Sequence, residues 1–163
     1  MKLLKYIIIC GILVLIVYFY LKPDLNDFAS QVSINNSYSI EIPMKNTYDS
    51  LCKIEDKNNV YFPSDKVSYA ILNKNDFFKR SSIIEKEKLK ELLNILNDSS
   101  SYIWGELGTP EIHYYLTYFD KDDNCIGLTT LDLEGMAYSQ PMTAKMKWGM
   151  IKNMSIILKL IDK

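Results

Sequence analysis

Hydrophobic residues are concentrated in one long run near the start of the chain. From Tyr6 to Leu21, sixteen consecutive residues carry no charge, and a helix of that length rises about 24 Å, close to the roughly 30 Å of a hydrocarbon core. Lys2 and Lys5 precede the run, whereas Lys22 alone follows it closely. This placement of lysines favours a cytoplasmic N-terminus. The pattern predicts a single-pass transmembrane helix at residues 1–21, an uncleaved signal anchor.

A removed leader and a buried helix of a soluble core are the alternatives for this run. Signal-peptide cleavage requires small residues directly after the apolar stretch, and Leu21-Lys22-Pro23-Asp24 offers none. The anchor is therefore favoured, with residues 3–21 in contact with membrane lipid. It predicts a membrane protein of the cell envelope whose C-terminal domain is extracytoplasmic.

Behind the anchor, the pattern predicts a polar tether at residues 22–36 and one domain at residues 37–163. At residues 38–42 the order Tyr-Ser-Ile-Glu-Ile alternates apolar with polar side chains, which is the period of a half-buried strand. Residues 47–55 suit either a short helix or a strand. Alternation returns at residues 67–72 and predicts another strand there.

The clearest helix of the domain is expected to begin near Ser82. Ser82 and Glu85 have the spacing of a capping box, in which each side chain bonds to a backbone amide of the first turn. Residues 97–100, rich in Asn, Asp and Ser, should end the helix. Between these limits four leucines recur at helical spacing and give one apolar face, namely Leu89, Leu92, Leu93 and Leu96.

Three strands with short connections follow, at residues 112–119, 125–133 and 136–139, the pattern of an antiparallel meander. Residues 142–162 suit a second amphipathic helix, which Gly149 weakens in the middle; a last strand at residues 155–161 is the alternative. The predicted fold class is therefore α+β, with an N-terminal transmembrane helix followed by one small domain that has an antiparallel β-meander and two packed helices.

The charge of the chain excludes one class of partner. The chain has 19 basic and 20 acidic side chains and a net charge of −1. Residues 1–21 hold two of the lysines and no acidic residue, so the rest of the chain, residues 22–163, has a net charge of about −3. A nearly neutral or acidic domain lacks the positive footprint that nucleic-acid binding requires. We therefore expect no nucleic-acid partner and favour a protein or envelope component.

Cysteine usage leaves two alternatives open. Three cysteines are present, and Cys10 lies in the apolar run. On an oxidising side of a membrane the other two, Cys52 and Cys125, could form a disulfide. The alternative is two separate, partly buried thiols, because pairing cannot be read from spacing alone.

The segment between the leucine helix and the meander concentrates residues that can do chemistry. It reads Trp-Gly-Glu-Leu-Gly-Thr-Pro-Glu at residues 104–111, and the only histidine, His113, follows it. Loops on a rigid scaffold often carry function, so we predict binding residues at Trp104, Glu106, Thr109, Glu111 and His113. Glu106 and Glu111 could instead act as an acid and base pair with His113 as a shuttle. A tight connector whose Trp104 fills the interface between sheet and helix is the third interpretation.

Two further patterns resemble metal sites. Residues 120–124 start like a calcium loop, but Cys125 and Leu131 stand where such a loop has glycine and glutamate, which favours a hairpin turn. Methionines that recur every four residues would form a stripe on one helix, and such stripes serve packing far more often than Cu(I); they are Met142, Met146, Met150 and Met154. We predict neither a metal site nor a cofactor.

The leading functional hypothesis is a membrane-anchored, extracytoplasmic binding domain without catalysis, in an envelope or immunity-like role. It needs no reactive constellation, and a tether would raise its effective concentration near a partner. The contact surface would be the tyrosine-bearing face of the sheet or the loop at residues 104–113. The alternatives are an envelope hydrolase that uses Glu106, Glu111 and His113, and metal handling by the Met142–Met154 stripe.

Overall fold

A computed structural model of the protein describes residues 2–21, 44–64, 66–76, 80–105 and 111–161. The helices in these ranges are α1 (Lys2–Leu21), α2 (Lys45–Lys57), α3 (Lys86–Asn97), α4 (Ala144–Trp148) and α5 (Met154–Ile161), with a 3₁₀ turn at Ser99–Ser101. The strands are β1 (Tyr69–Lys74), β2 (Ser81–Ile83), β3 (Tyr102–Trp104), β4 (Tyr114–Phe119), β5 (Cys125–Leu131), β6 (Ala137–Gln140) and β7 (Gly149–Ile151). The tether at residues 22–36 and the strand at residues 38–42 were predicted for a segment outside the described ranges.

The main sheet is antiparallel and has the strand order β2-β1-β4-β5-β6. Its last three strands are the predicted meander, in which each strand pairs with the next one along the chain. β1 runs along the other side of β4, with Leu72 opposite Leu116. A separate two-stranded sheet pairs β3 with β7. The α+β class and the antiparallel meander are therefore confirmed.

The main core lies between one face of the sheet and helices α3 and α5. The predicted apolar face of α3 is confirmed, since Leu89, Leu92, Leu93 and Leu96 are all buried. From the sheet, Leu72 and Leu116 enter the same cluster, and Ile157 joins it from α5. The spacing of leucines along the helix therefore determined which side faces the sheet.

Ser82 does not start a helix, so the predicted capping box is wrong. Ser82 lies in β2 opposite Leu72, and the backbone amide of Ile84 donates to the carbonyl of Ala70 at 3.0 Å. Helix α3 begins four residues later, with the extended residue Glu85 as its N-cap. Backbone pairing with β1 takes the place of the predicted cap and extends the sheet by one strand.

The single C-terminal helix predicted at residues 142–162 is wrong, and so is the alternative of a strand at 155–161. Two helices occur there, α4 and α5, separated by β7. The helix is interrupted at Gly149, where a side chain would collide with the hydroxyl of Tyr48 and the carbonyl of Lys145. The described ranges therefore contain five helices, whereas the sequence predicted an anchor and two packed helices.

The predicted stripe of four methionines is lost with that helix. Met146 lies in α4 and Met154 in α5, and both are buried. Met150 belongs to β7 and pairs with Ile103 of β3. Because their elements differ, these thioethers do not share one helical face.

The predicted membrane anchor is also wrong. In the described ranges, no helix combines the length and the apolar character that crossing a membrane requires. The single-pass location with an extracytoplasmic C-terminal domain, which depended on that helix, is withdrawn with it.

Candidate binding groove between α2 and β3

Helix α2 covers a segment that the sequence left ambiguous between helix and strand, and it attaches to the domain through one buried face. Tyr48 and Cys52 are one helical turn apart, and both are buried. They pack with Ala144 and Trp148 of α4 in a small cluster separate from the main core. Gly149 permits this close approach, because any side chain there would meet the Tyr48 hydroxyl. The cluster fixes α2 beside β3.

Polar contacts tie the C-terminal end of α2 to the same region. The carboxylate Oε1 of Glu55 accepts from the backbone amide of Ala144 at 2.6 Å. Lys145 is only 2% exposed, and its Nζ donates to Asp56 Oδ1 at 3.2 Å and to the carbonyl of Asn97 at 2.8 Å. A buried amine with two acceptors fixes its neighbours in one arrangement. These contacts therefore hold the C-terminal end of α2 in a fixed position.

A groove of about 440 Å³ lies between α2 and β3, within the usual range for ligand pockets. Tyr102, Ile103 and Trp104 line it from β3, and Ser99 and Lys152 complete the lining. Ile103 is 49% exposed and Trp104 is partly buried. The lining residues of α2 are Lys45, Tyr48, Asp49, Cys52, Lys53 and Asp56.

The two carboxylates of the groove already have cationic partners. Asp49 pairs with Lys45 at 2.8 Å. Asp56 pairs with the buried Lys145 and also accepts from the Ser99 hydroxyl at 2.8 Å. The remaining two charges are those of Lys53 and Lys152, which are exposed. The groove therefore presents an excess of positive charge, although the whole chain has a net charge of −1.

The two reactive side chains in the groove are held in their neutral forms. Burial raises the pKa of the Cys52 thiol, and the neighbouring Tyr48 side chain offsets only part of that rise. Burial, followed by the neighbouring Cys52, raises the pKa of the Tyr48 phenol. The thiolate is the nucleophilic form of cysteine. At neutral pH the groove therefore presents a protonated thiol, which is a poor nucleophile.

Of the five predicted binding residues, Trp104 lines this groove. Glu106 and Thr109 lie outside the described ranges. Glu111 is exposed, and neither it nor His113 is among the described residues that line the groove. The sequence therefore identified one wall of the groove through its tryptophan.

His113 has a role in the backbone at the start of β4. Its amide donates to the carbonyl of Leu131 at 2.9 Å, and its ring Nδ1 lies 2.6 Å from the carbonyl oxygen of Glu111. A carbonyl oxygen only accepts, so Nδ1 must carry the proton in this contact. The imidazole therefore fixes the turn that leads into the meander.

The other candidate features have structural roles. Cys52 and Cys125 are separate free thiols. The predicted hairpin turn at residues 120–124 is confirmed: Asp120 Oδ1 accepts from the backbone amides of Asp122 and Asn124 at 2.8 and 3.0 Å. In the described part of the chain, no three His, Cys, Asp or Glu side chains are grouped so that they could hold a metal ion.

The tyrosine-bearing face of the sheet offers less surface than its sequence indicates. Tyr114, Leu116 and Tyr118 of β4 point to the helices and are buried, but Thr117 and Phe119 on the opposite face are buried as well. A strand that is buried on both faces presents little side-chain surface to a partner. Of the two contact surfaces that we expected, the Trp104 region is therefore the more accessible.

A second depression, of about 500 Å³, lies between α3 and residues 61–68. Tyr61, Val67 and Leu89 contribute its apolar surface, and Lys86 and Lys90 of α3 also line it. Of the predicted binding residues, the described ones, Trp104, Glu111 and His113, do not line it. It provides matched control positions for experiments on the first groove.

Sequence reasoning missed the contribution of α2. Tyr48, Cys52 and Glu55 recur at helical spacing and all are buried, a signal that was present but interrupted by Ile54, which is exposed. Lys152 was missed because residues 142–162 were predicted to form one helix, whereas Lys152 lies in the turn between β7 and α5. No protein-family model matches this sequence, and no curated protein and no solved structure matches it either.

Proposed function

We propose that this protein is a non-catalytic binding domain that holds a segment of a protein partner in the groove between α2 and β3. The groove itself, about 440 Å³ and lined by the partly buried Trp104, is the observation that supports the proposal. Tryptophan is enriched among the residues that contribute most to the energy of protein contacts, and here it lies beside Ile103, which is 49% exposed. Blocking another protein, as immunity proteins do, requires only a contact of this kind.

The chemistry of the groove supports binding over catalysis. The Cys52 thiol has a raised pKa caused first by burial, so it is not poised for nucleophilic attack. His113 is committed through Nδ1 to the Glu111 carbonyl, and the Glu111 carboxylate is exposed. A general acid or base must reach the proton that it transfers, and the Nδ1 of His113 is already occupied by a backbone carbonyl. We therefore do not favour the hydrolase alternative.

Site-specific photo-crosslinking tests the proposed function. A benzophenone amino acid at position 103 should give a covalent product with a partner protein in whole cells, and Trp104→Ala should reduce its yield by at least several-fold. The control places the same probe at position 83 in β2, since Ile83 is 64% exposed but lies outside the groove. Equal products from both positions, or a yield that is independent of Trp104, would overturn the proposal.

A further inference from the structure

The groove contains positive charge that its own carboxylates do not neutralise. Asp49 is paired with Lys45 at 2.8 Å, and Asp56 with Lys145 at 3.2 Å. Lys145 is buried, so it neutralises Asp56 from inside the domain. Lys53 stands beside them in the lining and forms no ion pair within the described ranges.

Lys152 adds to this excess from the opposite wall. Its Nζ donates to the backbone carbonyl of Ser100 at 2.6 Å. Lys152 also interacts electrostatically with Asp98, a carboxylate that is not among the described residues lining the groove. Electrostatic complementarity selects partners and steers their approach. Two cations on opposite sides of one groove therefore suit a ligand that carries carboxylates on both flanks.

The lining between these cations is apolar and aromatic. Tyr48, Cys52 and Tyr102 are each at most 6% exposed and line the groove. Ile103 and Trp104 are the more accessible part of the same lining. Such a surface suits one aromatic or aliphatic side chain of a partner, because desolvated apolar anchors contribute most of the binding energy of small contacts.

Together with the function proposed above, on which this step rests, these observations define the ligand class. We propose that the groove binds an acidic peptide segment that carries an aromatic or aliphatic anchor residue between its carboxylates. The overall net charge of −1 opposes a nucleic-acid ligand, which would require a broad positive surface. The excess of positive charge is local, and it matches a short segment.

Fluorescence anisotropy with three labelled, amidated peptides tests the proposal on the full chain. The first has two glutamates on each side of one phenylalanine, the second replaces the glutamates with lysines, and the third replaces the phenylalanine with serine. The first peptide should bind at least ten-fold more tightly than the other two, and its affinity should fall several-fold between low and physiological salt. Binding should also change the tryptophan fluorescence, and Trp104→Phe should remove that change although Trp148 remains.

Charge reversals with equal net charge provide the matched control. Lys53→Glu with Lys152→Glu should weaken binding of the glutamate peptide by about ten-fold, because even an exposed ion pair is worth about 1.4- to 5-fold and reversal adds repulsion. Lys86→Glu with Lys90→Glu, in the second depression, should leave the affinity within about two-fold. Equal binding of the lysine peptide, or an equal loss in both double variants, would overturn the proposed ligand class.

The two proposals can fail separately. If no peptide binds but the probe at position 103 still gives a Trp104-dependent product, the groove binds a partner of different chemistry, and only the acidic ligand is refuted. If the crosslink also fails, the groove is not a binding site, and both proposals are refuted.

Discussion

Two lysine–aspartate pairs involve α2, and they should differ greatly in their contributions to stability. Lys45 and Asp49 are 2.8 Å apart on the helix surface, with side chains 65% and 45% exposed. Lys145 and Asp56 are 3.2 Å apart, but the lysine side chain is only 2% exposed. Distance alone would rank the first pair as the stronger. Burial reverses the order, because water competes little for the second amine.

The expected loss follows from what each substitution leaves behind. Lys145→Met keeps the buried hydrocarbon but removes the donor to the Asn97 carbonyl and to Asp56. An acceptor left buried without its donor costs about 1–3 kcal/mol, and breaking a buried ion pair costs about 3–5 kcal/mol. The Asp56 side chain is 46% exposed and regains water, so we expect a total loss of about 2–3 kcal/mol, near the lower limits. Lys45→Met should cost about 0.5 kcal/mol or less.

Urea unfolding followed by circular dichroism measures both variants against the wild type at neutral pH. With a slope of about 1–3 kcal/mol per M, Lys145→Met should lower the midpoint by roughly 1–2 M, and Lys45→Met should hardly change it. Equal shifts for the two variants, or a shift below about 0.3 M for Lys145→Met at an unchanged slope, would refute the argument from burial.

Three other predictions concern packing, pH and thiol reactivity. Gly149→Ala should destabilise the fold by about 1–3 kcal/mol in thermal unfolding through its collision with Tyr48, whereas Gly11→Ala, with no neighbour within 4 Å, should not destabilise it. Hydrogen bonds from the Ser100 hydroxyl and amide lower the pKa of Asp98. The contribution of Asp98 to stability is therefore present above its usual pKa of 3.8 and is lost as the pH falls through the lowered pKa. Asp98→Asn should cost about 0.5–1 kcal/mol at pH 7 and almost nothing near pH 2, measured by urea unfolding at both pH values. Native alkylation with iodoacetamide, followed by peptide mass spectrometry, should label Cys52 at least ten-fold more slowly than the exposed thiol of α1, and in urea the two rates should converge.

Local periodicity predicted those elements whose burial follows one simple period. The leucine face of α3 has this property, whereas burial in β4 and β5 does not alternate, because both strands have buried residues on both faces. Ser82 was misplaced because a capping box is a local signal, whereas its bonding partner β1 is contributed by another segment of the chain. The long apolar run was overinterpreted for a similar reason, since hydropathy alone does not establish that a helix spans a membrane.

The groove could be predicted from sequence only on its β3 side. Trp104 stands out by residue type, in a segment rich in glycine and carboxylates. The charge balance of the groove could not be predicted from the sequence, because it depends on the contact of Lys145 with Asp56, 89 positions earlier in the chain. No pattern in the sequence indicates that this lysine is buried while Lys53 and Lys152 are exposed.

The anchoring of α2 has a consequence for the newly synthesised protein. Glu55 depends on the amide of Ala144, 89 positions further along the chain. At a translation rate of about 5–20 residues per second, those residues take roughly 4–18 s to appear. During that interval Tyr48 and Cys52, on the apolar side of α2, lack their native neighbours Ala144 and Trp148. This face is therefore a natural substrate for chaperones that act on ribosome-bound chains.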